Sequence, residues 1–81
     1  MSDSDSQRRM NAIKLNDAAQ RYGFQYSWLD VPYTAPNGVV VHEARLSILG
    51  YTFVGTDSKK GIAKDYAAAA FFQAFPQYWP S

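Results

Sequence analysis

An 81-residue chain with 47% hydrophobic and 16% aromatic residues can build one core and no more, since a domain of this size buries only about 60% of the surface its unfolded chain exposes. The sequence has no cysteine, which excludes disulfides, thiolate zinc sites and a cysteine nucleophile. The formal net charge is only +1, yet three of the eight basic residues, Lys59, Lys60 and Lys64, fall within six positions, so a local positive patch survives a nearly neutral total.

In chain order, residues 1 to 9 are rich in Ser and Asp and end in Arg8 and Arg9, the composition of a disordered leader. The first ten residues contain no apolar stretch of signal-peptide type, and no run of about 18 apolar residues offers a membrane span. The expectation is a cytoplasmic or nuclear protein that does not engage a membrane. From residue 10 to 76 the pattern is that of a folded domain, followed by a tail at 77 to 81.

Leu15, Ala18, Ala19 and Tyr22 follow the spacing of one apolar helix face, and Gly23 is a natural stop. Phe24, Tyr26 and Trp28 alternate with Gln25 and Ser27, which predicts a half-buried strand. Pro36 followed by Asn37-Gly38 predicts a hairpin turn with left-handed residues, and a second strand over residues 39 to 49. Gly50 permits a tight reversal into a third strand, which Gly55 closes, with Asp57 and Ser58 offering a helix cap. In the last helix Ala63, Ala67, Phe71, Phe72 and Phe75 line an inner face, with alanines letting it approach a sheet, and Pro76 ends it. The order is α-β-β-β-α. It predicts an α+β fold in which a three-stranded antiparallel sheet carries two helices packed on one face.

Lys59, Lys60 and Lys64 crowd the start of that last helix, where the macrodipole already places about half a positive charge. Acidic residues are the stabilising choice there. An external anion resolves the conflict, because N–H groups, dipole and ammonium groups then all face the same negative charge.

The run "SKKGIAKDYAAAAFFQAF", in this element order, resembles the double-stranded RNA-binding domain over residues 11 to 75. Ser58, Lys59, Lys60, Ala63, Lys64, Ala67, Ala68, Phe72 and Phe75 match the family's last helix, Leu15, Asn16, Asp17 and Gln20 its first, and Tyr26 the aromatic of its first strand. The resemblance implies shape recognition of an A-form duplex over about 16 base pairs. Asn16, Asp17 and Gln20 are then minor-groove contacts, and Lys59, Lys60 and Lys64 span the phosphates. The loop between the first two strands reaches the next minor groove. The family's loop histidine is represented by His42, farther from Tyr26 than usual, and Gly61-Ile62 adds one residue between Lys60 and Ala63.

No catalytic constellation, cofactor motif or metal-ligand spacing is present: His42, with Glu43 beside it, is the only histidine. The chain is therefore read as non-enzymatic. A second reading stays open, in which the same fold serves as a protein-interaction or homodimerisation module in RNA processing. Its candidate surface is the outer side of the last helix, Tyr66, Ala69, Ala70 and Gln73, together with Trp79. The tail aromatics Tyr78 and Trp79 either fold back on the core or belong to that interface.

Overall fold

The computed structural model describes residues 10–80, so the expected leader at 1 to 9 lies outside the described residues. Helix α1 (Met10–Tyr22) leads into strands β1 (Tyr26–Thr34), β2 (Val40–Ile48) and β3 (Tyr51–Asp57), then helix α2 (Lys60–Ala74) and a short 3-10 turn at Pro76–Tyr78. The strands are antiparallel in the order β1-β2-β3, with Trp28 opposite Leu46 and Leu46 opposite Phe53. This is the expected α+β arrangement.

Alternation along the strands decides which side chains meet the helices. Ala44, Leu46 and Ile48 of β2 are buried, while Arg45 and Ser47 between them are exposed. Against Leu46 and Ile48 pack Leu15 and Ala18 from α1 and Ala67, Ala68, Phe71 and Phe72 from α2. Phe71 is fully buried and contacts Phe24, Phe53 and Phe72 edge-on, at centroid distances of 6.0, 5.7 and 5.2 Å. Burying one such ring contributes about 2–3 kcal/mol. The tail folds back on this cluster: Tyr78 stacks on Phe71 with rings 6.0 Å apart and 10° from parallel, and Trp79 meets Phe72 edge-on at 4.8 Å.

The turns differ from expectation in detail. In the Pro36-Asn37-Gly38 turn only Gly38 takes the left-handed conformation, with φ 86°. Asn37 acts instead through its side chain, whose Oδ1 accepts the Val39 N–H at 3.1 Å. Strand β2 accordingly begins at Val40 and ends at Ile48, one residue inside the expected span at each end. Leu49 shares the second reversal with Gly50, the two having φ 53° and 81°. Positive φ at both central residues is what a two-residue type I′ hairpin requires, and its twist matches that of the flanking strands.

Gly55 does not close β3; it lies inside the strand, buried, opposite Ala44. Its backbone conformation is ordinary, and the constraint comes from space. A Cβ there would sit 2.6 Å from the Ala67 backbone N and 2.8 Å from the Tyr66 Cβ, and would also strike the Ala63 carbonyl. Glycine at 55 and alanines at 44, 63 and 67 let α2 lie directly on the sheet. Backbone atoms cannot rotate out of the way as a flexible side chain can. Gly55→Ala is therefore expected to lower unfolding stability by about 3 kcal/mol, the upper range for overpacking. Thermal melting of the variant checks this; a melt matching the parent contradicts the close approach.

Candidate nucleic-acid interface

The candidate interface is built from two helix segments held together by hydrogen bonds between the helices. Helix α1 has no acidic residue in its first turn. Its N–H groups are met from across the fold, where Asp65 of α2 accepts the Ala12 N–H through Oδ1 and the Asn11 side-chain amide through Oδ2, both at 3.1 Å. Asp65 is only 4% exposed, so its oxygens depend on these donors. The sequence held a usable signal for it: Asp65 falls on the helix face of Ile62, Ala69 and Phe72, where an acid has no place unless it finds a partner.

With α1 pinned in this way, Leu15, Ala18 and Ala19 turn inward while Asn16, Asp17 and Gln20 are exposed. Asn16 is further oriented by the Tyr26 hydroxyl, which donates to its Oδ1 at 3.2 Å. That bond uses the amide oxygen and leaves two N–H donors for another partner.

At the start of α2 the chain is extended at Lys59, with φ −106° and ψ 125°, and no side chain caps the helix. Asp57 accepts the Lys59 N–H at 2.8 Å, an N–H that precedes the helix and not one in its first turn, so the expected capping role is not filled. Ser58 makes no cap either. The first-turn N–H groups of α2 therefore keep their electropositive character.

The three lysines differ in their surroundings. Lys59 is exposed. The Lys60 ammonium lies 4.0 Å from Asp30 Oδ2, and the Lys64 ammonium sits 5.6 Å from the centroid of the Trp28 ring, a cation–π arrangement worth about 0.5–1 kcal/mol. An open groove of about 560 Å³, lined by Ala12, Ile13, Asn16, Gly61 and Lys64, runs between the two helices. It brings the Asn16 side of α1 next to the lysine end of α2.

His42 lies in β2, paired with Pro32 and Asp57 in the neighbouring strands, and not at the hairpin tip. Its Nδ1 is 3.2 and 3.3 Å from the two Asp30 oxygens. His42 thus joins the surroundings of Lys60, which sequence spacing did not reveal, because only the β1–β2 register brings Asp30 and His42 together.

On the opposite flank of α2, Tyr66 and Gln73 are exposed while Ala69 and Ala70 are half-buried. Tyr66, Ala70 and Gln73 follow one row along the helix, with Tyr66 beside Gly55 of β3. Trp79 instead covers Phe72 and remains 39% exposed. A second open depression, of about 490 Å³, lies at the β2–β3 turn and gathers none of the candidate residues. Among the described residues no group of three or more His, Cys, Asp and Glu side chains is placed to hold a metal ion. None of the described helices is long and apolar enough to cross a membrane.

No protein-family model matches the chain, and a search of curated proteins finds no similar sequence.

Asp65→Ala removes the acceptor and leaves the Asn11 amide and the Ala12 N–H without it. Hydrogen bonds to a charged group contribute about 1.5–3 kcal/mol each, with part of that recovered by water at the helix end. The expected loss is about 2–3 kcal/mol in chemical denaturation, with Asp65→Asn intermediate. A variant as stable as the parent would show that Asp65 does not hold the helices.

Proposed function

We propose that this chain is a small, non-enzymatic domain that binds double-stranded RNA by shape, working in the cytoplasm or nucleus. The observation that carries the reading is the inter-helix groove, where Asn16 of one surface and Lys64 of a chemically different one both line the cleft. One is the Asn16, Asp17 and Gln20 face, which offers both hydrogen-bond donors and acceptors. The other is an uncapped helix N-terminus with Lys59, Lys60 and Lys64 around it. An A-form duplex presents matching chemistry, with 2′-hydroxyls in a shallow minor groove and phosphates along its flank. Contacts of the first kind tell RNA from DNA; those of the second position the protein without reading sequence.

A protein-interaction role is favoured by one feature, the open outer edge of β3 beside Tyr66, Ala70 and Gln73. Strand edges and smooth helix faces pair readily with another chain. That reading requires a dimer or a stable partner complex in sedimentation, and a persistent monomer removes the homodimer form of it.

Duplex RNA is expected to bind more tightly than duplex DNA of the same sequence. The logarithm of affinity should fall with the logarithm of salt at about 0.9 per phosphate contact, extrapolating from duplex DNA, hence near −3 for three lysines. Lys60→Ala should weaken binding to every duplex alike, reduce the slope by about one and leave the melting temperature nearly unchanged. Equal affinity for RNA and DNA would remove the minor-groove assignment. An unchanged slope in Lys60→Ala would move the phosphate site elsewhere and favour the protein-interaction reading.

A further inference from the structure

The candidate lysine cluster contains its own competitor. Asp30 is on β1, on the face it shares with Tyr26 and Trp28 by strand alternation, and its carboxylate is 4.0 Å from the Lys60 ammonium. It is not free to swing away, because both its oxygens lie within 3.3 Å of His42 Nδ1 and its side chain is only 23% exposed. Lys60, by contrast, is 56% exposed on a long flexible stem. The carboxylate is the fixed member of the pair, and the ammonium is the mobile one.

From this geometry we propose that Asp30 is a built-in counter-charge that limits how tightly the α2 lysines hold phosphate, with His42 as the residue that keeps it in place. The inference rests on the reading of this end of α2 as a phosphate site. A phosphate reaching Lys60 must draw the ammonium from Asp30, and the carboxylate, held by His42, stays close to the arriving negative charge. The repulsion lowers affinity for any polyanion to a similar degree, since it acts on phosphate and not on the 2′-hydroxyl. Stable binding then requires several contacts at once, so a lone phosphate held at Lys60 alone is disfavoured. Asp57 adds a second negative charge at the same end of the sheet, but its Oδ2 is occupied by the Lys59 N–H.

The test replaces the charge and keeps the shape. Asp30→Asn should bind duplex RNA and duplex DNA about three- to fivefold more tightly than the parent at low salt, the upper range for an exposed ion pair. The gain should shrink as salt rises. Glu43→Gln makes the same change in net charge on the opposite face of the sheet, where Glu43 pairs with Arg45 at 2.6 Å. It should gain much less. In a Lys60→Ala background the Asp30→Asn gain should fall to less than half, a non-additivity that a general charge effect does not produce. Asp30→Ser serves as a second variant should the Asn form melt early.

Elution from a heparin column reads the same contact without RNA. If the parent binds RNA but Asp30→Asn binds it no more tightly than Glu43→Gln does, the counter-charge is wrong and the RNA reading stands. If no form binds duplex RNA yet Asp30→Asn elutes from heparin at higher salt than Glu43→Gln, the counter-charge stands and the RNA reading falls. Failure to bind RNA together with co-elution overturns both.

Discussion

A carboxylate carried by α2 and buried against the first turn of α1 is the contact on which the geometry of this small domain depends. Asp65 supplies what α1 lacks at its N-terminus, an acceptor for an orphan N–H, and takes the Asn11 amide as a second donor. Because it is nearly inaccessible to water, moving α1 relative to α2 exposes it or strips it of partners, and either costs free energy. The apolar contacts between the helices are non-directional and would tolerate sliding; the pair of hydrogen bonds does not. The exposed Asn16, Asp17 and Gln20 face and the lysine end of α2 are therefore held at a fixed spacing.

Beneath this, backbone proximity sets the depth of α2 in the sheet. Gly55 faces backbone atoms of Ala63 and Ala67 directly, so no larger residue fits between β3 and the helix. Aromatic side chains fill the rest: Phe24, Phe53, Phe71 and Phe75 form a contiguous cluster that Tyr78 closes. A chain of 81 residues without disulfides needs large side chains of this kind to offset its ordering entropy. The lysine end is electrostatically guarded in turn, since Asp30, His42 and Trp28 each engage a neighbouring group there. That local balance agrees with a net charge of only +1.

Local pattern was enough to read the architecture. The spacing of Leu15, Ala18 and Ala19, the alternation around Trp28, and the turn chemistry at Gly38 and Gly50 are all short-range signals, and each element formed near where they pointed, although β1 begins at Tyr26 rather than Phe24 and runs on to Thr34. Gly55 reads as a strand end because glycine in a sequence signals a turn as readily as a close approach, and only the packed helix distinguishes the two. The partners of Asp65 and Asp30 are not legible, because they lie far along the chain or across a strand register that hydrophobic pattern does not specify to the residue. In the candidate site, the residue types were legible in sequence, while their neighbours were not: Lys64 over Trp28 and Asn16 under Tyr26 exist only once β1 lies alongside both helices.

A single binding surface formed by the α1 face and the lysine end of α2 is the proposal on which the RNA reading rests. It is tested most directly by following backbone amide resonances while a short RNA duplex is titrated in. Asn16, Asp17 and Gln20 are expected to shift together with Lys59, Lys60, Gly61 and Lys64, all saturating at the same RNA concentration, while β3 and the outer row at Tyr66, Ala70 and Gln73 stay in place. Shifts confined to the β3 edge and the Tyr66 row, or two groups saturating at different concentrations, would contradict it.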